Sequence, residues 1–212
     1  MSKRSFLYRA HPWHGVAVGP DPPALVTAYI ELTPEDTIKY ELDKASGILK
    51  VDRPQLYSNV CPAFYGFIPR TYCAEHLGAL ASERTGRPGI IGDGDPLDIC
   101  VLTDKRITRS NILIDAIPIG GLRMIDANKA DDKIIAVMKG DQAYDLVRDI
   151  SDVRPTQLDR LRHYFLTYKQ SPDASERVVE IAEVYDRDAA HEAIRRSQLD
   201  YEAHFGSAHA QS

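Results

Sequence analysis

Residues 92–98, with the sequence GDGDPLD, constrain this chain more than any other stretch. They place three aspartates within six residues, with a glycine and a proline among them. Glycine permits tight turns and proline removes an N–H donor, so the segment suits neither a helix nor a strand. It leads into the apolar run at residues 99–102, which predicts a short buried strand. The sequence therefore predicts an ordered turn, held by a rigid strand, that gathers carboxylates in a small volume.

Carboxylates that close together repel one another unless positive charge lies between them. A hard divalent cation with oxygen ligands is one solution. A solvated acidic turn is the plain alternative, and it is the commoner reading of an isolated D-G-D pattern. A calcium loop of the helix–loop–helix type fits poorly, because Asp98 stands where that loop needs a glycine and Pro96 interrupts it. The surrounding sequence has to decide between a cation site and a solvated turn.

Composition narrows the class of protein. The 212 residues are enough for one domain with a real core, and we expect a single domain over residues 1–212. A net charge of −5 argues against nucleic acid as the main partner, but it allows a small polyanion bound through metal ions. No apolar run approaches the roughly 18–20 residues that span a bilayer, and no signal peptide is evident. We therefore expect a cytoplasmic protein with no membrane partner.

The cysteine count is odd and sparse, which predicts reduced thiols at Cys61, Cys73 and Cys100.

Periodicity predicts many short strands before two late helices. The N-terminal arm, residues 1–23, is irregular, and residues 70–92 form a long surface excursion with a short helix near residues 78–84. This order of elements predicts an α+β, mainly β fold, with a small barrel or twisted sheet flanked by two C-terminal helices. The expected strands are residues 25–32, 38–42, 48–51, 64–68, 99–102, 112–119, 134–138 and 178–185, and the expected helices follow Pro155 and cover residues 187–205.

A second acidic cluster, residues 126–133, precedes the buried strand at 134–138 and repeats the design of the first. Two such clusters could converge on shared cations. In the hairpin at residues 38–51, period 2 places Lys39 and Glu41 on one face. Taken alone, these two residues and Arg53 are typical of a solvated strand face.

In this context the sequence resembles family I of the soluble inorganic pyrophosphatases. The signature of that family, D-x-D-P-x-D, matches residues 93–98, and the likeness extends over roughly residues 28–169. The matching positions, in the order of the family, also include Glu31, Lys39, Tyr40, Glu41, Asp52, Arg53, Tyr65, Gly66, Asp126, Asp131, Lys133, Tyr168 and Lys169.

The resemblance implies a five-stranded barrel of the oligonucleotide-binding type, hydrolysis of pyrophosphate with several Mg²⁺ ions, and a homo-oligomer. It implies that the phosphates are bound by Lys39, Arg53, Lys133, Tyr168 and Lys169, and that Tyr65 lies beside the general base. It implies two inner cations on Asp93, Asp98 and Asp131, a third on Asp126 with Asp131, a fourth on Glu41 through water, and an outer site organised by Glu31.

The chemistry is consistent with that assignment. Pyrophosphate is a polyanion, so an acidic site needs several divalent cations before it can bind this substrate. Two cations on one water lower its pKa toward neutrality. Asp95, between two predicted metal ligands, is the best placed general base. Two alternatives stay open: a metal-dependent hydrolase of a nucleotide or another phosphate ester, and a barrel that binds single-stranded nucleic acid without catalysis.

Overall fold

The computed structural model describes residues 10–171, 173 and 179–209, with side chains as far as residue 206. The first nine residues of the predicted N-terminal arm and Val178, the predicted start of the last strand, lie outside the described residues. The strands are β1 (Val26–Leu32), β2 (Ile38–Asp43), β3 (Ile48–Pro54), β4 (Phe64–Phe67), β5 (Ile91–Gly92), β6 (Asp98–Leu102), β7 (Ile112–Asp126), β8 (Lys129–Ala130), β9 (Lys133–Met138) and β10 (Val179–Asp186). The helices are α1 (Glu75–Thr85), α2 (Pro155–Thr167) and α3 (Arg187–His209).

Five strands close into a ring in the order β1, β4, β6, β9 and β7, and β7 pairs back onto β1. All neighbours in the ring are antiparallel except β6 and β9, which run parallel. Strands β2 and β3 form a separate hairpin, while β8 and β10 extend the sheet from the far end of β7. The expected five-stranded barrel in an α+β, mainly β fold is therefore confirmed.

Strand β7 is longer than the sequence predicts. We expected it to end at Pro118 and the following two glycines, but it continues to Asp126 and is 15 residues long. That prediction was wrong because the pairing with β9 shifts register between Pro118 and Gly120. A proline, which cannot donate to the ladder, is tolerated at such a bulge, where the strand bends. The bend lets β7 leave β1, cross β9, and carry the second acidic cluster out to its end.

The apolar runs of β6 and β9 are buried on both faces, as predicted from their composition. Ile99 and Val101 join the cluster shared by all five ring strands, α1 and α3. Cys100 and Leu102 face the opposite side, against a cluster that includes α2. Strands buried on both faces read as continuous apolar segments rather than alternating ones. Because each strand is packed on both faces, the residues that precede it are held in fixed positions.

Helix α1 lies in the predicted excursion and begins earlier than the short helix that we expected. Its buried residues Leu77 and Leu80 contribute to the barrel cluster. Its first turn is capped from a distance by Asp200 of α3, whose carboxylate accepts hydrogen bonds from the backbone N–H groups of Ala74, His76 and Leu77 at 2.9, 2.8 and 3.1 Å. The barrel is thus flanked by the two predicted C-terminal helices and by a third helix that precedes the acidic turn.

The three cysteines are free, as predicted, and all three are buried. Burial raises the pKa of the Cys61 thiol to about 12, and it raises the pKa of Cys73 and Cys100 well above the usual range. Such thiols are chemically inert at neutral pH. Among the described residues, no helix is both long enough and apolar enough to cross a membrane.

Asp200→Ala should lower the free energy of unfolding by about 2 kcal/mol or more, because it leaves buried N–H donors without an acceptor. Urea unfolding followed by circular dichroism measures this loss. Glu202→Ala, at an exposed position on the same helix, is the control and should change stability by less than about 0.5 kcal/mol. Equal effects of the two substitutions would contradict the capping role.

Candidate active site

A cavity of about 470 Å³ brings together all thirteen residues that the sequence singled out for catalysis, substrate binding or metal binding. They come from β1, the β2–β3 hairpin, β4, the acidic turn, the end of β7, the start of β9 and the end of α2. These residues are Glu31, Lys39, Glu41, Arg53, Tyr65, Asp93, Asp95, Asp98, Asp126, Asp131, Lys133, Tyr168 and Lys169.

The acidic turn is held by its own backbone and by the segment just before α1. The Asp95 N–H donates to the Asp93 carboxylate at 3.0 Å, and the Asp95 carbonyl accepts from the Cys73 N–H at 2.8 Å. Gly94 returns a bond from its own N–H to the Cys73 carbonyl at 3.0 Å and adopts a φ of 83°, which favours glycine. Leu97, fully buried, anchors the other end of the turn. The aspartates therefore project from a fixed frame.

Lys133 lies at the centre of the site. It is 2% exposed, and its ammonium contacts the carboxylates of both Asp98 and Asp131. Asp98 and Lys133 are direct neighbours in the parallel register of β6 and β9, so the sheet itself sets their approach. Tyr65 on β4 donates its hydroxyl to the Asp98 carboxylate at 2.6 Å. Although burial disfavours the charged amine, Asp131 and Asp98 raise the pKa of Lys133 well above its usual range.

Burial and mutual repulsion dominate the electrostatics of the carboxylates. Burial first, and then the negative charge of Asp131, raise the pKa of Asp93 to about 8. The pKa of Asp98 is raised by the same two causes, against the opposing effect of Lys133. Glu31 is buried too, and desolvation raises its pKa to about 8 although it accepts a hydrogen bond from the Leu42 N–H at 2.7 Å. The site therefore holds more negative groups than its own cations stabilise.

The β2–β3 hairpin forms one wall of the cavity. Lys39 donates to Glu41 at 3.3 Å and to Asp52 at 3.1 Å, which confirms that Lys39 and Glu41 share a face. Arg53, paired with Lys39 across the hairpin, donates to Asp52 at 2.6 Å. The bond from the Leu42 N–H to Glu31 attaches this hairpin to β1.

The opposite wall is formed by the ends of β7 and α2. Lys169 donates to Asp126 at 2.6 Å, and its ammonium lies 5.3 Å from the centre of the Tyr168 ring. Asp126 opens a two-residue turn in which Ala127 and Asn128 both have positive φ. Such a turn matches the twist of the two strands that it joins. It directs Asp126 back toward the cavity.

Sequence reasoning missed two cations of the cavity, Lys44 and Lys129, and left Asp52 without a role. The Lys44 ammonium contacts the Asp95 carboxylate and donates to the Gly94 carbonyl at 3.4 Å. Lys44 lies in the turn at residues 43–47, and nothing local sets it apart from other turn lysines. Its contact is with a residue 51 positions away, so only the docking of the hairpin reveals it.

The donor set fits hard divalent cations, because every predicted metal ligand offers carboxylate oxygen. In the part of the chain that the structure describes, no three acidic, imidazole or thiol side chains are gathered around one point that could hold an ion. The Lys133 ammonium lies between Asp98 and Asp131 instead. Asp93 lies in the same small volume, where burial first and then the charge of Asp131 raise its pKa. The residues therefore fit additional positive charge of the kind that Mg²⁺ supplies.

Comparisons of the sequence with known proteins identify relatives of this chain. The sequence model of the inorganic pyrophosphatase family matches residues 28–202. The inorganic pyrophosphatase of Chlamydia caviae is 50% identical over 205 residues, which cover 95% of each chain. The soluble inorganic pyrophosphatase of rice, Oryza sativa subsp. japonica, is 37% identical over 195 residues, covering 92% of this chain and 81% of the rice protein.

Solved structures give the same answer. The inorganic pyrophosphatase of Thermus thermophilus superposes with a TM-score of 0.76 at 31% identity, covering 91% of this chain and 99% of its own. That of Helicobacter pylori gives a TM-score of 0.71 at 31% identity, covering 88% and 98%. Fold, cavity and sequence therefore agree, and the chain belongs to the inorganic pyrophosphatase family, whose members are enzymes.

Lys133→Met should lower the stability of the protein without divalent ions by about 3–5 kcal/mol, because two buried carboxylates lose the cation between them. At one fixed concentration, Mg²⁺ should recover more stability in this variant than in the parent, because the freed carboxylates should bind it more tightly; a protein at 100 times its own Kd gains about 2.7 kcal/mol. Thermal unfolding with and without Mg²⁺ measures both effects. Lys139→Met, at an exposed lysine just after β9, is the control. The same gain from Mg²⁺ in all three proteins would argue against this arrangement of charge.

Proposed function

We propose that this chain hydrolyses inorganic pyrophosphate to two phosphate ions, with Mg²⁺ as the cofactor and Asp95 as the general base. The observation that carries the proposal is the convergence of all thirteen predicted residues on one cavity, in a chain that belongs to the pyrophosphatase family. Carboxylates and cations are interleaved along its walls, which suits a polyanion that arrives with its own counterions.

The reaction breaks one phosphoanhydride bond. The oxygen of a water molecule bonds to one phosphorus as the bond from that phosphorus to the bridging oxygen breaks. The leaving phosphate keeps the electron pair of the broken bond, and Asp95 accepts a proton from the attacking water. Positioning in line and neutralising the charge of the leaving group account for most of the catalysis that phosphoryl transfer requires.

The basic residues of the cavity bind the phosphates in this proposal. Lys39 and Arg53 share Asp52 as their partner, and Lys169 is paired with Asp126. With the carboxylates neutralised by bound cofactor, the side chains of Lys39, Arg53 and Lys169 could turn to phosphate oxygens instead. Arginine can grip phosphate with two parallel hydrogen bonds. The other phosphate ligands are Lys133 and Tyr168.

The carboxylates would hold the cofactor. Asp93, Asp98 and Asp131 would bind two inner cations, Asp126 with Asp131 a third, and Glu41 a fourth through water, with Glu31 organising the outer site. When bound, Mg²⁺ ions supply a water of lowered pKa and neutralise the phosphate charge.

Asp95 is suited to the base role by its placement. Its side chain is 44% exposed, so a water molecule can reach it, and its backbone is fixed at both N–H and carbonyl. Lys44 holds the carboxylate from the hairpin side. Tyr65 lies in the same cavity but donates to Asp98, so it acts beside the base and not on it.

A phosphate-release assay tests the activity itself. Pyrophosphate with Mg²⁺ should release phosphate rapidly, whereas omitting Mg²⁺ or replacing pyrophosphate with ATP should nearly abolish the release. Equal rates with ATP would favour the nucleotide hydrolase. Assembly into a homo-oligomer stays a prediction, which light scattering of the purified protein decides.

Asp95→Asn should lower kcat by about 10²–10⁴-fold, because the amide keeps the shape of the side chain but cannot accept a proton. The acidic limb of the kcat–pH profile should also change, since the group that must be ionised is gone. Both follow from kcat measured against pH at saturating Mg²⁺. An unchanged rate and an unchanged acidic limb would refute the assignment and leave Asp93 or Asp98 as the next candidate.

Asp98→Asn and Asp126→Asn should differ in when they weaken Mg²⁺ binding. Asp98→Asn removes a ligand of the inner ions, so affinity should fall even without substrate. Asp126→Asn should act mainly when substrate is present, because its cation arrives with the polyanion. Calorimetric titration of Mg²⁺ with and without a non-hydrolysable pyrophosphate analogue separates the two. Equal effects under both conditions would contradict this division of ligands.

A further inference from the structure

A buried ion pair stands directly behind the cavity. Arg123 on β7 is 0% exposed, and its Nη1 donates to the Asp132 carboxylate at 3.3 Å. Its Nε donates to Glu183 on β10 at 3.0 Å. Its guanidinium carbon lies 4.9 Å from the centre of the Tyr185 ring. Arg123 is therefore buried in a connected network with two carboxylates and an aromatic ring.

The room for this network depends on Gly121, the cross-strand neighbour of Tyr185. A Cβ at Gly121 would come within 2.4 Å of atoms of the Tyr185 ring. Any side chain there would therefore displace the ring on which the Arg123 guanidinium rests. The backbone leaves space for the aromatic contact at the position where it is used.

Asp132 sits between two residues of the proposed active site, Asp131 and Lys133. Successive side chains of an extended segment point to opposite sides. Asp131 and Lys133 both line the cavity, and Asp132 is 2% exposed and points the other way, to Arg123. The direction of the Asp132 side chain is therefore coupled to the directions of the Asp131 and Lys133 side chains.

Stability alone does not explain this pair. Removing two charges from water is costly, and well-packed apolar residues in place of a buried ion pair are often as stable or more so. The cost is visible here, because Arg123 Nη2 and Asp132 Oδ1 are buried without a hydrogen-bond partner among the described residues. Apolar residues in these positions could not form the directional hydrogen bond that resists rotation of the 131–133 segment.

We propose that the Arg123–Asp132 pair is a positioning device, which holds the 131–133 segment so that the Asp131 carboxylate and the Lys133 ammonium face the cavity. Both residues act through their neighbours and touch neither substrate nor metal. The inference rests on the proposed function for the roles of Asp131 and Lys133. A loss of position should appear first as a loss of affinity for divalent cations, because these ligands must meet the ion at fixed distances.

The test uses the full chain with Arg123→Met and Asp132→Val combined, so that neither charge is left buried alone. Its urea unfolding midpoint should equal or exceed that of the parent. Its Kd for Mg²⁺, measured by calorimetry without substrate, should rise about 10–100-fold. The kcat/KM for pyrophosphate at limiting Mg²⁺ should fall by a similar factor and be partly recovered at excess Mg²⁺. Arg123→Lys, which keeps the charge but loses the planar fork, should show a smaller loss of the same kind.

A control removes an exposed ion pair elsewhere in the fold. Arg87 and Glu180 of β10 form a bidentate pair at 2.7 and 2.8 Å, and neither lines the cavity. Arg87→Gln with Glu180→Gln should leave Mg²⁺ affinity and kcat/KM unchanged. Unchanged Mg²⁺ affinity in the Arg123/Asp132 double variant, an equal loss in the control, or failure of the double variant to fold would each overturn the proposal. If the parent releases no phosphate, the proposed function fails, while the Mg²⁺ titration still decides the positioning role.

Discussion

The rest of the site depends on the ammonium of Lys133, buried between the carboxylates of Asp98 and Asp131. A charge buried this deeply is tolerated only with partners of opposite sign close by. The parallel pairing of β6 and β9 places Asp98 beside Lys133, and both strands are buried on both faces. The apolar core and the polar site therefore depend on the same strands. The residues that pack the barrel also fix the distance between the charged groups.

The remaining walls are attached to this centre by polar contacts that cross between elements. Glu31 binds the backbone of the β2–β3 hairpin and so brings Lys39 and Arg53 to the cavity. The segment before α1 binds the acidic turn, and Asp200 of α3 caps α1 itself. Glu31 and Asp200 join a side chain to the backbone of another element, while the acidic turn is joined backbone to backbone, and all of these contacts limit how far the walls can move relative to one another.

Charge balance connects the geometry with the proposed chemistry. Eight carboxylates and six cationic side chains line the cavity, so the excess of negative charge is small. Burial, with repulsion from neighbouring carboxylates, raises the pKa of Glu31 and of Asp93 to about 8. Divalent cations together with a polyanion would satisfy both sets of groups at once. In our proposal the substrate and its cations therefore bind as one assembly.

Local sequence was enough to predict much of this protein. Composition and periodicity predicted the buried strands β6 and β9, the helices α2 and α3, and free thiols. The spacing of the acidic motif, with the family resemblance that it supports, predicted the five-stranded barrel and all thirteen residues now found in one cavity. The strands and helices could be predicted because period depends on residues that are close together in the chain, whereas the barrel and the thirteen residues followed from the resemblance to the family.

Only the tertiary structure decided the rest. The continuation of β7 past Pro118 depends on a bulge against β9, and the contact of Lys44 with Asp95 depends on how a hairpin docks across 51 positions of sequence. The capping of α1 by Asp200 and the bond from Arg123 to Glu183 join residues 124 and 60 positions apart. A buried arginine and an exposed one look alike in sequence. The packing of strands and helices decides which arginine loses its hydration. A buried arginine then requires partners of opposite charge.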